Sequence, residues 1–233
     1  MIIGVSGRLG HGKDLVGEMF QYIGYLEHGG KYDFNSFETM KPDTKEMCSK
    51  WKIEKFGGKL KDMICILLGC TREQLEDRTF KEKELGEEWW YYKSAYNSQL
   101  YTLGDREELN SRGQYLIGEI LLKLTPRLML QLMGTECGRE ILHPDIWVNA
   151  TLGAYHPNDK WIITDVRFPN EIDRIEKLGG IVIRVVRDIE TITNEHFSET
   201  ALDHHDFEYV IQNNGTKQEL LEKVEKIYKK IQK

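Results

Sequence analysis

A glycine-rich segment near the start of the chain carries the clearest chemistry. Residues 7–14 run Gly-Arg-Leu-Gly-His-Gly-Lys-Asp and match G-x-x-x-x-G-K, the pattern of a phosphate-binding loop. In such a loop the backbone N–H groups surround the phosphates, and the lysine reaches the β- and γ-phosphates. The apolar run before it predicts a strand and the pattern after it predicts a helix, which is the context that the motif requires. We therefore expect nucleotide phosphates to bind at Gly7, Gly10, His11, Gly12, Lys13 and Asp14. A purely structural glycine turn is the alternative.

Two carboxylates are candidate ligands for Mg²⁺. Asp14 stands where the usual motif has a Ser or Thr hydroxyl that ligates this ion, and a carboxylate can do so directly or through water. Asp165 ends the apolar segment Trp161-Ile-Ile-Thr-Asp, a position typical of a Walker-B-like group. A helix or turn cap is the alternative for Asp165.

Three arginines are candidate phosphate ligands, because the guanidinium fork matches phosphate oxygens. Arg127 and Arg139 are twelve residues apart on a predicted helix. That spacing is about three and a third turns, so we expect both to face one site. Arg167 follows the carboxyl end of a predicted strand, where open α/β sheets bind ligands. Arg127 as a solvated charge, and Arg139 as a partner of the helix dipole, remain open.

Other polar and aromatic residues allow two interpretations. Lys61 and Asp62 either contact an acceptor nucleotide or complement the first turn of a helix. The aromatic residues 89–92 either pack a small sub-core, which we favour, or stack on a base. His196 and Glu199 lie in a polar stretch that is expected to form a mobile cover.

The elements that must position these residues alternate between strand and helix. This order predicts an α/β fold with a central parallel sheet of about five strands flanked by helices. The expected strands are residues 2–6, 51–56, 161–166, 181–186 and 207–211. Helices are expected over 14–27, from Leu60 to Gly69, after the caps at Thr71 and Asp145, after Thr125 and its Pro126, from Pro169 to Gly179, and after Thr216. The polar, glycine-rich residues 29–50 are expected to form a loop or an excursion from the main fold.

Length and composition predict one domain over residues 1–233, with a core of about 1–28, 51–79 and 113–233 and an insertion over about 80–112. The net charge of −6 argues against a nucleic-acid partner. No apolar run reaches the roughly 18 residues of a membrane helix, and the start lacks the basic region of a secretory signal. The four cysteines are expected to be buried and reduced, so we predict a cytoplasmic protein.

The chain resembles the deoxynucleoside monophosphate kinases of tailed bacteriophages, a branch of the P-loop nucleoside monophosphate kinase superfamily. In that family an Asp after the loop lysine is usual. The likeness spans nearly the whole chain and is weakest over 29–50 and 85–112. The segments that carry it are 6–14, 59–62, 125–139 with Trp147, 165–171, 179–180, 184–187, 196–199 and 213–216.

The resemblance implies transfer of the γ-phosphoryl group of ATP, with Mg²⁺, to a deoxynucleoside monophosphate. It implies small-molecule nucleotides as partners, no membrane, the host cytoplasm as location, and it allows a homodimer. The implied catalytic residues are Lys13, Arg127, Arg139, Asp165 and Arg167, with Arg187 at ATP and Lys61, Asp62, Arg127, Gln131, Glu136 and Arg139 at the acceptor. A P-loop kinase for another metabolite and a non-catalytic nucleotide-binding regulator are the alternatives.

Overall fold

The structure is a computed structural model that describes residues 1–96, 98–112, 118–189 and 200–232. The chain divides into two compact units, one of Met1–Lys59 with Asp145–Lys233 and one of Leu60–Pro144. The expected cover at His196 and Glu199 lies outside the described residues.

The elements follow each other along the chain in largely the expected order. The strands are β1 (Ile2–Ser6), β2 (Lys52–Glu54), β3 (Trp90–Ser94), β4 (Leu100–Thr102), β5 (Glu119–Lys123), β6 (Trp161–Val166), β7 (Ile181–Val186) and β8 (Tyr209–Gln212). The helices are α1 (Lys13–Glu27), α2 (Phe34–Glu38), α3 (Pro42–Ser49), α4 (Gly58–Leu68), α5 (Arg72–Glu76), α6 (Arg78–Glu82), α7 (Leu103–Ser111), α8 (Pro126–Leu132), α9 (Ile146–Leu152), α10 (Pro169–Lys177) and α11 (Lys217–Ile231). A short 3₁₀ turn covers Glu87–Trp89, and a π-helical segment, Met133–Leu142, continues α8.

The first unit is built on a five-stranded parallel sheet in the order β2-β6-β1-β7-β8, which confirms the predicted fold class. Its central strand β1 is buried along its whole length. Apolar side chains of β1, β6 and β7 pack with α1 and α11 in one core. Because parallel strands end at the same edge, the segments after β1, β2, β6, β7 and β8 share that edge.

Residues 29–50 are not the expected loop, because they contain the short helices α2 and α3. Asp33 caps α2 by accepting a hydrogen bond from the Ser36 N–H at 2.8 Å. Phe34 and Phe37 are buried against Tyr22, with ring centroids 5.3 and 5.4 Å away. The segment is polar overall, so its composition did not indicate that these two phenylalanines are buried.

The second unit contains an antiparallel sheet in the order β4-β3-β5. Two aromatic rings of β3 make cation–π contacts. Lys123 Nζ lies 4.3 Å from the Trp90 ring centroid, and Arg106 Cζ lies 4.6 Å from the Tyr92 ring centroid. Arg106 also donates to both carboxylate oxygens of Glu119. The unit runs from Leu60 to Pro144, and the expected insertion over 80–112 lies within it.

Some expected burial is not observed. In α4, Leu60 and Ile64 are buried, but Met63 and Leu67 are 43% and 49% exposed, so only part of the apolar face of this helix is buried. In the helix that follows Thr125, Met129 is buried while Leu128 and Leu132 are half-buried. Three cysteines are half-buried and Cys137 is exposed, and all four are free thiols. Among the described residues no helix is long and apolar enough to span a membrane.

Candidate active site

The glycine-rich loop joins β1 to α1 at the carboxyl edge of the parallel sheet. Gly10 and Gly12 have φ angles of 82° and 89°, in the region where side chains other than glycine are strained. Gly12 is the N-cap of α1, and the first helical residue, Lys13, is only 8% exposed. The loop therefore presents a helix N-terminus at the end of a strand, which is where anions bind.

His11 anchors the loop to the neighbouring strand. Its ring is buried, and Nδ1 lies 3.2 Å from the Val185 carbonyl oxygen of β7. A carbonyl can only accept, so Nδ1 carries the proton. Burial lowers the pKa of His11, and the charges of Arg184, Arg8 and Lys13 add to this effect. The ring is thus neutral at pH 7, and its Nδ1–H is engaged by the Val185 carbonyl.

A second anchor of the loop comes from Asn213. The Asn213 Nδ2 donates to the His11 carbonyl oxygen at 2.9 Å, and this side chain is buried. Asn213 follows β8, so it reaches the loop from the same edge of the sheet. The segment 213–216 was part of the family resemblance, which was the available signal.

A partly exposed ionic network lies beside the loop. Asp203 accepts from Arg8, a loop residue, and from Arg184 of β7 at 2.9 Å. Arg184 also donates to the Ser6 Oγ at 3.0 Å. Partial burial alone would raise the pKa of Asp203, but the two arginines outweigh it and hold this pKa below its usual value. Sequence reasoning assigned no role to Asp203, because its arginine partners lie far away in the chain.

The Asp14 carboxylate projects from the first turn of α1 and is 58% exposed. Its Oδ1 accepts from Thr164 Oγ1 at 3.0 Å and lies 2.7 Å from Lys55 Nζ. Desolvation acts to raise the pKa of Asp14, but Lys55, Lys13 and the Thr164 hydroxyl together lower it. Asp14 is therefore a fixed, ionised carboxylate at neutral pH. Lys55 was missed, since nothing in its own segment indicates that it meets Asp14.

Asp165 lies at an irregularity of β6. The register between β1 and β6 shifts between the pairs Gly4–Ile163 and Ser6–Val166, so Thr164 and Asp165 lie at a bulge, a feature that redirects side chains. Asp165 Oδ1 accepts from the Phe56 N–H at 2.7 Å and Oδ2 from the Gly57 N–H at 2.8 Å. This geometry matches the turn-cap alternative. A carboxylate has about four acceptor positions, so these bonds leave room for a metal or its water.

Arg167 and Arg187 follow β6 and β7 at the same edge of the sheet. The Arg167 N–H donates to the buried Glu171 Oε2 at 2.6 Å, so the backbone after β6 is held in place. Arg187 is exposed. The edge thus combines a glycine loop, two carboxylates and two guanidinium groups.

Lys61 and Asp62 form ion pairs within the second unit. Lys61 Nζ lies 2.5 Å and Lys81 Nζ lies 3.2 Å from the Glu76 carboxylate, while Asp62 pairs with Arg72 at 2.7 Å. Desolvation opposes the effect of the two lysines, which nevertheless lower the pKa of Glu76 to about 2. These pairs give both residues a structural role in joining α4 to α5 and α6. Their contact with an acceptor stays a prediction.

The helical run with Arg127, Gln131, Glu136 and Arg139 differs from the expected regular helix. Thr125 caps α8 as predicted, accepting from the Leu128 N–H at 3.1 Å, but from Met133 the backbone is π-helical. The prediction that Arg127 and Arg139 are three and a third turns apart is therefore wrong. It assumed 3.6 residues per turn, and a π-helix turns through a smaller angle per residue.

The same run holds two paired arginines and one orphaned oxygen. Arg127 pairs with Glu82, and Arg139 Nη1 donates to the Pro144 carbonyl at 3.4 Å. Gln131 is half-buried. Glu136 Oε2 is buried without a hydrogen-bond partner among the residues that the structure describes. Asp145, at the start of α9, accepts from Asn170 Nδ2 at 2.6 Å and does not cap its helix through its side chain, contrary to expectation.

No group of three or more His, Cys, Asp or Glu side chains gathers to hold a metal in the described part of the chain. A magnesium ion typically uses one or two carboxylates together with substrate phosphates and waters. Asp14 and Asp165 are two carboxylates at this edge of the sheet, which is the number of protein ligands that such an ion typically uses.

A glycine loop between the first strand and the first helix of a parallel sheet defines a P-loop nucleotide-binding protein. Comparison with known proteins then narrows the class. The family model for deoxynucleotide monophosphate kinase matches residues 91–224, more than half of the chain. The deoxynucleoside-5'-monophosphate kinase of Escherichia phage T5 is 27% identical over 87% of this chain and 85% of its own length. The deoxynucleotide monophosphate kinases of Escherichia phage RB69 and Enterobacteria phage T4 are 30% and 34% identical over shorter stretches, 43% and 44% of this chain and 43% and 45% of their own lengths. The chain belongs to the deoxynucleotide monophosphate kinase family, and it is a phosphotransferase.

Proposed function

We propose that this enzyme transfers the γ-phosphoryl group of ATP, bound with Mg²⁺, to the 5′-phosphate of a deoxynucleoside monophosphate, releasing ADP and the diphosphate. The observation that carries the proposal is the loop of residues 7–14, which lies between β1 and α1 in a chain that belongs to this family. The relatives from phages T5, RB69 and T4 bear names that describe the same activity.

The donor side is assigned to the loop and its surroundings. Lys13 stabilises the negative charge that develops on the transferring phosphoryl group in the transition state. The N–H groups of the loop and of the first turn of α1 bind the phosphates. Arg187 at the end of β7 is assigned to ATP. The position of Lys13, buried in the first turn of α1 directly after the loop, supports this assignment.

Magnesium is assigned to Asp14, with Asp165 acting directly or through water. The ionised state of Asp14 and its fixed orientation towards Thr164 and Lys55 fit a hard cation that prefers oxygen ligands. Bound there, the ion supplies charge neutralisation on the β- and γ-phosphate oxygens. Lys55 also neutralises part of the Asp14 charge in the absence of the ion.

The acceptor side is assigned to Arg127, Arg139 and Arg167, with Lys61, Asp62, Gln131 and Glu136 as further contacts. Two arginines can match the oxygens of an acceptor phosphate as bidentate partners. The buried Glu136 Oε2 supports a binding role, because such an oxygen normally accepts a hydrogen bond and a nucleotide N–H or O–H supplies one. The partners are therefore ATP and a deoxynucleoside monophosphate, and we place the enzyme in the cytoplasm of the host.

A coupled assay of ADP release, with and without each deoxynucleoside monophosphate, tests this function. ADP release that depends on a deoxynucleotide supports it. Release that requires another metabolite favours the second kind of kinase, and ATP binding without release favours a regulator.

Lys13→Ala is the matching variant. We expect it to keep the fold and lose most of kcat, because it removes a contact that strengthens in the transition state. Lys31→Ala, an exposed lysine of the same unit, is the control and is expected to keep full activity. A Lys13→Ala enzyme that retained more than about a third of kcat would remove the loop lysine from the mechanism.

A further inference from the structure

The His11–Gly12 peptide lies in the most adaptable part of the phosphate loop. Gly10 and Gly12 flank His11 and both have positive φ. Glycine occupies positive and negative φ almost equally well, so such a peptide can rotate at low cost. A contact to the His11 carbonyl from outside the loop can therefore fix the orientation of this peptide.

Asn213 provides that contact. Its Nδ2 donates to the His11 carbonyl oxygen at 2.9 Å. Its own backbone N–H donates to the Val186 carbonyl of β7 at 2.7 Å, so the side chain projects from a held position. Asn213 is 8% exposed, and a Cβ built on Gly12 would lie 2.5 Å from Nδ2. The carboxamide thus fills the space directly behind the loop.

Because the peptide is planar, a contact that fixes the His11 carbonyl also fixes the direction of the Gly12 N–H. In a trans peptide the C=O and the N–H point in opposite directions. With the His11 carbonyl directed towards Asn213, the Gly12 N–H points away from Asn213. If the peptide rotated, it would present a carbonyl oxygen in place of this donor, and a carbonyl repels phosphate.

We propose that Asn213 is a positioning residue for ATP: it fixes the His11–Gly12 peptide so that the Gly12 N–H is available to the nucleotide phosphates. This role rests on the proposed ATP site at the loop. It predicts a selective effect on the donor nucleotide, since the Asn213 side chain donates to the loop itself, at the His11 carbonyl.

Two variants test the role, with dissociation constants for ATP and ADP and KM values for both substrates as the measurements. Asn213→Ala removes the donor. Asn213→Asp keeps the shape but places a carboxylate, which only accepts, against the His11 carbonyl. We expect both to weaken ATP and ADP binding about five- to ten-fold, the size of one hydrogen bond, while the KM for the deoxynucleotide stays within about two-fold. Gln212→Ala, an exposed carboxamide one residue earlier, is the matched control and should leave all constants unchanged.

The outcomes separate this role from the proposed function. A wild-type enzyme that bound no ATP would contradict the proposed function itself. Wild-type binding of ATP with equal binding by both variants would overturn only the role of Asn213. An equal rise of both KM values, or loss of the folded state in both variants by circular dichroism, would make Asn213 a residue of the fold and would also overturn the proposal.

Discussion

Asp14 stands where most phosphate loops carry a hydroxyl, and its neighbours keep this carboxylate ionised. Lys55, Lys13 and the Thr164 hydroxyl outweigh desolvation and lower its pKa, so it stays charged at neutral pH. The N-terminus of α1 also favours a negative charge in its first turn. A hydroxyl at this position would carry no charge to attract Mg²⁺. The side chain thus combines a helix-end interaction with a candidate metal ligand.

The magnesium assignment leads to a prediction at the residue scale. Asp14→Asn and Asp165→Asn should each raise the Mg²⁺ concentration needed for half-maximal activity, because each replaces an anionic oxygen ligand by a neutral one. The measurement is a Mg²⁺ titration at saturating ATP and deoxynucleotide. Asp173→Asn, on an exposed position of α10, is the control. An unchanged titration for Asp165→Asn would leave Asp165 only its two bonds to the Phe56 and Gly57 N–H groups.

At the scale of elements, the position of α1 over the sheet depends on close approach to β6. A Cβ built on Gly17 of α1 would lie 2.3 Å from the Thr164 Cγ2. The same threonine holds Asp14 through its hydroxyl. The helix must therefore approach β6 closely at Gly17 for Asp14, one turn earlier, to reach Thr164.

This packing predicts that Gly17→Ala destabilises the protein, although alanine is the better helix former. Overpacking of this kind costs about 1–3 kcal/mol in the free energy of unfolding. Chemical denaturation measures it. Gly58→Ala, at the first residue of α4 and with open space around its Cβ, is the control and should be neutral or slightly stabilising. A Gly17→Ala protein as stable as the wild type would show that α1 moves away from β6 without cost.

At the scale of the whole molecule, the assigned residues belong to different units of the chain. The phosphate loop, Asp165 and Arg167 belong to the unit that contains the parallel sheet, whereas Arg127 and Arg139 belong to the unit of residues 60–144. A phosphotransferase needs both a donor and an acceptor, so variants of residues assigned to the donor and variants of residues assigned to the acceptor are expected to change different kinetic constants.

Arg127→Ala and Arg139→Ala should raise the KM of the deoxynucleotide about ten- to a hundred-fold and leave the KM of ATP nearly unchanged. Each variant removes a charge-assisted contact worth about 1.5–3 kcal/mol. Arg167→Ala is expected to act in the same direction. Arg112→Ala, whose exposed guanidinium pairs with Glu108 one turn away, is the control within the second unit. A rise in the KM of ATP with a constant deoxynucleotide KM would show that the arginines serve the other substrate.

Features that depend on residues close together in the chain could be predicted from the sequence. The loop of residues 7–14, the strands β1, β6 and β7, and the capping boxes at Thr71 and Thr216 were all predicted from spacings of a few residues. Such features are local, because hydrophobic periodicity and N-caps act within one or two turns. The same local information failed in residues 29–50, where buried aromatic contacts of Phe34 and Phe37, rather than composition, stabilise α2.

Which distant residues meet at the loop depends on tertiary contacts that the chain order does not show. Thr164 meets Asp14 across 150 positions, and Asn213 meets His11 across 202. Lys55 reaches Asp14 because β2 pairs with β6 and ends at the same edge of the sheet. The change from α8 to a π-helix at Met133 also had no signal in the spacing. These contacts follow from the order of strands in the sheet, and a chain position alone does not reveal that order.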